Sequence, residues 1–249
     1  MASALVTGAT SGLGKEFCWQ LAEQGHDLIL VARNQERLER TAQQLQTVTR
    51  AKIDILAADL ADPRDLTEVC KRVSSVDIVV NNAGFGLGES FLNGALDREL
   101  YALDVMVQAV MATCHFAGRA MRERGRGAII NVSSVAADTG MGTYSAHKAW
   151  VRAFTEGLSE ELRGTGVSAT VVLPGLVRTE FHERMGADLS DVPQFVWGDP
   201  GTVVRDALKA ARRKQVVVTP TALYKAVGGL SRIAPRSVVR AVTRRLPHT

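Results

Sequence analysis

Residues 3 to 14 read SALVTGATSGLG, and this stretch decides the fold. Its first five residues suit a buried strand, and an amphipathic helical pattern begins near Gly12. The junction between strand and helix carries Gly8, Gly12 and Gly14. Glycine at such a junction permits positive φ angles and lets backbone amides approach a pyrophosphate, whose negative charge is favoured at a helix N-terminus. The stretch therefore predicts a dinucleotide-binding turn, although a tight turn without a ligand would have the same local pattern.

Beyond this turn, short apolar runs alternate with longer amphipathic segments. The predicted strands are SALVT, DLILVA, KIDILAA, VDIVVN, AIINVSS, VSATVVLP and QVVVT, and the predicted helices lie near 12–25, 35–47, 63–74, 97–124, 143–164 and 200–213. This alternation requires crossover connections, and hence a parallel sheet with helices on both faces. With 249 residues, 46% of them hydrophobic, the chain can bury a full core. We predict one α/β domain over residues 1–249, a doubly wound, Rossmann-like sheet of about seven strands.

Charge is unevenly distributed along the chain. From Gly201 onward there are eleven basic residues and one acidic residue, in a chain of formal net charge +4. Residues 221–249 mix spaced apolar residues with Lys and Arg, which predicts a basic, helical C-terminal extension. The extension either packs across the subunit or its substrate pocket, or contacts an anionic membrane or a partner. Nucleic-acid binding is not predicted, because the basic residues come without aromatic stacking groups or a reading motif.

The cysteines and the N-terminal sequence indicate the compartment. Cys18, Cys70 and Cys114 lie far apart without metal-type spacing, which predicts buried free thiols, a reducing environment and no metal site. The start MASALVTGAT has no charged leader followed by an apolar core. No run reaches the roughly 18 uninterrupted apolar residues of a membrane span. We expect a cytoplasmic protein, with membrane contact only through its basic tail.

Further motifs follow the glycine turn in a fixed order. They are Asp59-Leu60 after the third strand, NNAG at 81–84, NVSS at 131–134, Tyr144-x-x-x-Lys148, and Pro174-Gly175 after the sixth strand. Together with TGATSGLG they resemble the short-chain dehydrogenase/reductase family over roughly residues 3 to 180. The combination of VRTEFHERMG at 177–186 with GTYSAHKAW at 142–150 looks like an actinobacterial-type branch, whose members are mostly assigned only as oxidoreductases.

The resemblance implies a bound nicotinamide nucleotide. Asp59 would receive the adenine amino group, with Leu60 beside the ring. The remaining implied contacts come from the turn residues Gly8, Thr10, Ser11, Gly12, Leu13 and Gly14, from Asn81, Ala83 and Gly84 along the adenine-ribose side, and from Tyr144, Lys148, Pro174, Gly175, Val177 and Thr179 nearer the nicotinamide. The residues themselves agree, since they follow parallel strands, and open α/β sheets bind ligands at the carboxyl ends of their strands.

The second strand indicates which nucleotide is preferred. An enzyme that uses NAD is expected to carry an acidic residue at the end of this strand, but the strand ends in Ala32-Arg33-Asn34. Arg33 can pair with a 2′-phosphate, so the sequence predicts NADP(H) in preference to NAD(H), unless Arg33 is only a solvated loop charge. Arg37, one helical turn further on, is either a second phosphate contact or an ordinary surface residue.

Tyr144 and Lys148 stand four residues apart and so share one face of a helix. Alone, the pair fits a solvated helix face better than a catalytic site. A nearby ammonium stabilises a phenolate and lowers the pKa of tyrosine. The resemblance assigns Tyr144 as the acid that protonates a carbonyl oxygen, Lys148 as its partner, and Ser134 as the anchor of that oxygen, with Ser133 as the alternative serine. The predicted enzyme interconverts a carbonyl and a secondary alcohol.

One position departs from the family pattern. Many members have an asparagine in the long helix before NVSS that bends the helix and holds a relay water, and Met106 stands there. Either a backbone carbonyl replaces it, or protons reach Lys148 by another path, or the chain is a slow enzyme or a nucleotide-sensing or scaffold protein. Asp104 is a poorly aligned substitute. His147 is expected to be a partly exposed helix residue rather than an acid or base.

Residues 176–200 follow Pro174-Gly175, and in this family that stretch closes over the cofactor and substrate. Its apolar residues Phe181, Met185, Phe195 and Trp197 favour a hydrophobic substrate, although packing of the lid would also explain them. Some related branches reduce 3-oxo groups on long acyl chains, so an acyl substrate is a further expectation. The resemblance also implies a homodimer or homotetramer through the long helices.

Overall fold

Seven parallel strands form one sheet in the computed structural model, which describes residues 2–179, 193–221 and 224–225. They are β1 (Ser3–Thr7), β2 (Asp27–Ala32), β3 (Ile53–Ala57), β4 (Ile78–Asn81), β5 (Gly127–Val132), β6 (Val167–Val172) and β7 (Val217–Val218). The spatial order is β3-β2-β1-β4-β5-β6-β7, so the direction of winding reverses between β1 and β4. The predicted doubly wound parallel sheet is confirmed. A crevice opens at the carboxyl ends of β1 and β4, where such sheets bind ligands.

The helices cover both faces of the sheet. They are α1 (Gly12–Glu23), α2 (Gln35–Gln46), α3 (Pro63–Val73), α4 (Leu96–Leu103), α5 (Ala109–Arg124), α6 (Gly142–Glu161) and α7 (Pro200–Arg212). Buried residues of α1, α2 and α7 share one hydrophobic cluster, and those of α3 to α6 share the other. Within β1, Ala4 and Val6 belong to the first cluster and Leu5 to the second, as the two-residue repeat of a strand requires.

Capping residues fix where three of the helices begin. Asn34, Asp62 and Asp199 each accept hydrogen bonds from backbone N–H groups in the first turn of α2, α3 and α7. Proline occupies the first turn of α3 and of α7, where its missing N–H costs nothing. These caps satisfy backbone N–H groups that have no partner inside the helix, and so they stabilise the first turn of each helix.

The helix expected near 97–124 is not a single α-helix. A π-helical turn, Asp104–Gln108, separates α4 from α5 and contains Met106. By length and composition the run Leu96–Arg124 would suffice to cross a membrane, yet 44% of its most apolar window is buried inside the protein. Residues of α5 pack on β5 and on α3, so this is a core helix of the sheet layer.

Candidate active site

The glycine turn brings the start of α1 against the end of β1. Gly8 has a φ of 66° and Gly12 a φ of 51°, in the left-handed region that favours glycine. A Cβ on Gly14 would overlap the carbonyl oxygen of Gly8, so only glycine permits this close approach of helix and turn. At these three glycines the turn presents backbone without side chains at the mouth of the crevice.

The N-terminus of α1 differs from those of α2, α3 and α7. Its N-cap residue, Ser11, makes no side-chain capping bond, and its first turn contains no acidic residue. The first backbone N–H groups of a helix have no partner inside the helix and carry a partial positive charge. At α1 these groups are left for an anion, so the turn fits a pyrophosphate.

Asn82 holds the glycine turn against the end of β4. Its Nδ2 donates to the carbonyl oxygen of Thr7 at 3.0 Å, while the backbone N–H groups of Asn82 and Ala83 donate to the Thr7 hydroxyl at 3.0 and 3.1 Å. From the sequence, Asn82 is known only as the second residue of the NNAG motif. Its role depends on a contact between two strands that no local pattern predicts.

Asn81, expected along the adenine-ribose groove, directs its side chain into the core. Its Nδ2 donates to Asn131 Oδ1 at 2.9 Å, and its Oδ1 accepts from the Thr113 hydroxyl at 2.9 Å. The side chain is therefore used to join β4, β5 and α5, and the contribution of Asn81 to the groove is reduced to its backbone.

Arg33, Asp59 and an unpredicted residue, Tyr101, meet at the other side of the crevice. Arg33 Nη1 donates to the Tyr101 hydroxyl at 2.8 Å, and that hydroxyl lies 2.8 and 2.9 Å from the two carboxylate oxygens of Asp59. Arg33 is exposed but partnered, so it is more than a solvated loop charge. Tyr101 was not predicted as a site residue, because a single tyrosine in a helix indicates no function until α4 is placed beside β2 and β3.

The neighbouring residues complete this side of the crevice. Arg37 is half-buried, and its Nη2 donates to the carbonyl oxygen of Thr10 at 3.2 Å, which ties α2 to the glycine turn. Leu60 is buried beside Asp59. The structure thus brings the predicted adenosine-side residues Arg33, Asp59 and Leu60 to one edge of the sheet.

Tyr144, Lys148 and Ser134 meet at the carboxyl end of β5. Tyr144 and Lys148 are only 9% and 4% exposed, which rules out a solvated helix face. Lys148 Nζ donates to the carbonyl oxygen of Val132 at 2.9 Å and lies 5.7 Å from the centre of the Tyr144 ring. Ser134 forms a side-chain hydrogen bond with Tyr144. The hydroxyl of Ser133 instead donates to the carbonyl oxygen of Lys148 at 2.6 Å, which leaves Ser134 as the serine that faces Tyr144.

Burial sets the protonation of this pair. It raises the pKa of Tyr144 to about 12, against a smaller lowering by the hydrogen bond with Ser134. Burial also lowers the pKa of Lys148 to about 8. The expected lowering of the tyrosine pKa by Lys148 is not observed, since only the hydrogen bond with Ser134 opposes burial, and burial disfavours the charged form of both groups. Tyr144 therefore carries its proton at neutral pH and can act as an acid.

Met106 lies beside this pair. A Cβ on Gly84 would stand 3.2 Å from Lys148 Nζ and 3.4 Å from Met106 Sδ, so both side chains converge over Gly84. The helix deviates at this point, as a π turn, without an asparagine. A thioether is only a weak hydrogen-bond acceptor, so the Met106 side chain cannot take over the role of the asparagine amide at this position.

His147 is buried, contrary to the expectation of a partly exposed residue. Its Nδ1 has no hydrogen-bond partner among the described residues. Burial lowers the pKa of His147, and the charge of nearby Glu99 opposes that shift. Glu99 is itself buried and accepts a hydrogen bond from the Thr143 hydroxyl at 2.6 Å. The His147 side chain is therefore a buried, neutral ring on α6, with Glu99 of α4 near it.

The two ends of the predicted lid, 176–200, are joined at its base. Gly198 N donates to the Leu176 carbonyl oxygen at 2.8 Å, and Tyr224 links Leu176 N, at 3.1 Å, to the Val196 carbonyl oxygen, at 3.0 Å. The ring of Tyr224 fills the space that a Cβ on Gly175 would need. The side chain of Thr179 lies against Gly12, where a Cβ would come within 3.1 Å of it, so the lid starts beside the glycine turn.

The structure describes some of the remaining predicted site residues and not others. The carbonyl oxygen of Pro174 accepts a hydrogen bond from Val135 N at 3.0 Å, and Val177 is buried in a bridge to Gly198. Phe195 is exposed, and the Trp197 ring stacks under the Arg178 guanidinium at 5.7 Å. Phe181, Met185, the rest of 180–192, and most of the basic extension, 222–223 and 226–249, lie outside the described residues.

Known proteins resemble this chain in sequence and in fold. The sequence model of the family described as short chain dehydrogenase matches residues 2–190. An uncharacterized oxidoreductase of Staphylococcus saprophyticus is 33% identical over 183 residues, 71% of this chain and 78% of the relative. A short-chain dehydrogenase from Sphingobium yanoikuyae, solved in complex with NADPH, is 30% identical with a TM-score of 0.85 over 93% of this chain and 94% of that chain. The bulky-bulky ketone specific alcohol dehydrogenase from Comamonas testosteroni is 30% identical with a TM-score of 0.80 over 99% of both chains.

Proposed function

The chain belongs to the short-chain dehydrogenase family of oxidoreductases, and from that premise we propose that it interconverts a carbonyl group and a secondary alcohol with NADP(H). The observation that carries the proposal is the group of Tyr144, Ser134 and Lys148 at the carboxyl edge of the sheet, in which Tyr144 and Lys148 are buried and Ser134 is half-buried. It lies on the same edge as the glycine turn, so a dinucleotide bound there would reach both.

The residues present fit a nicotinamide dinucleotide. The uncapped start of α1 and the glycine turn would bind the pyrophosphate, and Asp59 with Leu60 would receive the adenine. Arg33 supports a preference for NADP(H) over NAD(H). It places a cation at the position where an enzyme that uses NAD would carry a carboxylate to bind the 2′-hydroxyl of the ribose. The NADPH complex of the Sphingobium relative is consistent with this preference. When bound, the cofactor supplies or accepts the hydride.

The chain's own residues would deliver a proton to the substrate's carbonyl oxygen. The Tyr144 hydroxyl, protonated at neutral pH, donates to that oxygen as it gains negative charge. Ser134, which already hydrogen-bonds with Tyr144, would hold the same oxygen in place. A protonated Lys148 beside the ring stabilises the phenolate that remains after the transfer. Burial of Tyr144 and Lys148 keeps these interactions strong by excluding water.

After Tyr144 has given up its proton, a new proton must reach it, and this step does not require the missing asparagine. We propose that a backbone carbonyl of the π turn Asp104–Gln108 takes its place, since the turn persists with Met106 in that position. Met106→Asn should then leave turnover unchanged. A severalfold faster Met106→Asn enzyme would show that the methionine slows the relay.

We propose a hydrophobic ketone or a 3-oxoacyl chain as substrate. Phe195 is exposed and Trp197 is half-buried in the last part of the predicted lid, so this segment carries apolar side chains that a hydrophobic substrate could contact. The Comamonas relative is named for bulky-bulky ketones, which supports a roomy pocket. A panel of aryl ketones and 3-oxoacyl thioesters of increasing length would identify the class.

Assembly, compartment and subfamily are also proposals. A homodimer or homotetramer through the long helices is supported by Leu96, Leu100 and Leu103, which are exposed on α4. Free, buried cysteines support a reducing compartment, the cytoplasm. Light scattering would give the oligomeric state, and vesicle sedimentation would test the proposed membrane contact of the basic extension. The actinobacterial-type branch would be tested by a tree of family sequences.

NADPH oxidation with this panel tests the function, with wild type compared with Tyr144→Phe. We expect turnover by the wild type and a loss of at least about 100-fold in the variant, since general acid catalysis contributes about that much or more. Turnover that survives in Tyr144→Phe would refute the assignment of the acid. Tight NADPH binding without turnover on any substrate would instead favour a nucleotide-sensing or scaffold protein.

A further inference from the structure

We propose that Tyr101 is a specificity-determining residue that positions Arg33 for the 2′-phosphate of NADP(H). The inference rests on the proposed function and adds a residue and a mechanism of cofactor choice. It assigns to α4 a part in a binding site that is otherwise built from the carboxyl ends of β1, β2 and β3.

The hydroxyl of Tyr101 is the centre of a directed chain of hydrogen bonds. A carboxylate can only accept, so the hydroxyl donates to Asp59, at 2.8 and 2.9 Å from its two oxygens. The lone pairs of the same hydroxyl are then free to accept from Arg33 Nη1 at 2.8 Å. The order is therefore Arg33 to Tyr101 to Asp59, and each end of the chain carries a full charge.

This arrangement keeps Arg33 and Asp59 apart while fixing both. No direct ion pair joins the two side chains, although both are among the described residues. A direct bidentate pair would use the fork of guanidinium N–H groups that a phosphate needs. With Tyr101 between them, one of the five N–H donors is used, and the rest remain available.

The ring of Tyr101 adds a second constraint on Arg33. The guanidinium carbon lies 6.0 Å from the ring centre, within range of a cation–π contact. The ring is in turn held by Phe85, with ring centres 5.7 Å apart. An exposed arginine otherwise loses considerable side-chain entropy when it binds a ligand. Tyr101 reduces that cost by holding the side chain over the crevice in advance.

The hydroxyl is also kept in the right protonation state. Burial and the hydrogen bond to Asp59 raise the pKa of Tyr101, against the opposing influence of Arg33. The phenol therefore stays protonated across the physiological range and continues to donate to Asp59. The ring and the hydroxyl together make Tyr101 a fixed neutral spacer between two charges.

Binding measurements on Tyr101→Phe test the proposal without reference to turnover. This change removes the hydroxyl and keeps the ring. We expect the Kd for NADPH, measured by calorimetry or by quenching of protein fluorescence, to rise about 5- to 20-fold, near the lower end of what a hydrogen bond to a charged group contributes, because Tyr101 acts through Arg33. The Kd for NADH should change less than about twofold, because NADH has no 2′-phosphate for Arg33 to bind.

A double-mutant cycle separates positioning from simple packing. Arg33→Ala should remove most of the preference for NADPH, and adding Tyr101→Phe to it should weaken NADPH binding no further. Tyr224→Phe is the matched control, since it removes another half-buried tyrosine hydroxyl, and it should leave the ratio of the two Kd values unchanged. Thermal unfolding of each variant confirms that the fold is retained.

Three results would overturn the proposal. Equal weakening of NADPH and NADH by Tyr101→Phe would mean that the tyrosine only supports the fold of the crevice. Tighter NADPH binding would mean that the Tyr101 bridge obstructs the adenosine site. Full additivity with Arg33→Ala would mean that the two residues act separately. If the wild type bound neither nucleotide, the proposed function itself would fail, and the inference with it.

Discussion

At the scale of single residues, the proposed role of Lys148 lowers the stability of the fold. It is a buried amine with one described hydrogen bond, to the Val132 carbonyl oxygen, and burial lowers its pKa from 10.5 to about 8. Below pH 8 the folded protein must hold a charge that the unfolded chain holds more easily in water. Active-site groups of this kind are commonly retained at the expense of stability.

Lys148→Met should therefore abolish turnover and raise stability at neutral pH. The shift in pKa corresponds to about 3 kcal/mol, partly offset because the Val132 carbonyl loses its donor. Between pH 8 and 10.5 the unfolded wild type binds more protons than the folded form, so wild-type stability rises with pH. Thermal unfolding should show a higher Tm for Lys148→Met at pH 7 and a smaller difference at pH 10. A variant less stable than wild type at pH 7 would contradict this.

Gly84 provides a second test at a single position. A Cβ there would press on Lys148 Nζ and Met106 Sδ, at 3.2 and 3.4 Å. Gly84→Ala should displace the lysine and lower kcat about 10-fold, with little change in Tm. Gly157→Ala is the control, because nothing lies within 4 Å of its Cβ position in α6, and it should stabilise the fold by about 0.5–1 kcal/mol. Equal kcat values for the two variants would show that the space above Gly84 is not critical.

At the scale of elements, Arg152 connects α6 to the turn that carries Ser134. Its Nη1 contacts Asp138 at 2.6 Å and its Nε contacts Glu156 at 2.9 Å. Asp138 ends the short 3₁₀ helix Val135–Asp138, whose N-cap is Ser134. The ion pair therefore sets the distance between the element that holds Ser134 and the element that holds Tyr144.

Arg152→Leu should loosen that distance and lower kcat about 10-fold, while the Kd for NADPH stays near the wild-type value. Arg152 is 18% exposed, so its pairs are screened less than surface pairs. Arg163→Leu is the matched control, since Arg163 pairs with Glu160 but is 76% exposed. Exposed pairs contribute little, so this control should match the wild type in both measurements. A parallel loss of NADPH binding in Arg152→Leu would argue for general unfolding of the crevice.

The elements also show what the sequence could and could not predict. Strand and helix order followed from the periodicity of apolar residues, because that signal is local. The π turn at Asp104–Gln108 was missed, since one inserted residue barely changes a helical pattern. Tyr101 was missed because its partners lie 42 and 68 positions away. Burial of His147 was missed because it depends on residues distant in sequence, such as Glu99 on α4. Such contacts exist only after the sheet has assembled.

At the scale of the whole molecule, parallel strands concentrate the site at one edge. The carboxyl ends of β1, β2 and β3 present the glycine turn, Arg33 and Asp59, and the end of β5 presents Ser134. The helices on the two faces bury separate clusters, and each cluster packs on every second residue of the strands. A ligand along this edge would therefore contact elements of both layers.

This arrangement links cofactor binding to global unfolding. A ligand that binds only the folded state at 100 times its Kd stabilises that state by about 2.7 kcal/mol. For a domain of this size we expect Tm to rise by about 5–10 °C with saturating NADPH. NADH at the same concentration should give a smaller rise, because it lacks the phosphate that Arg33 would bind. In Arg33→Ala the rise with NADPH should fall to that with NADH. Equal shifts for the two nucleotides in the wild type would contradict the preference for NADP(H), while a shift with neither would contradict the nucleotide site.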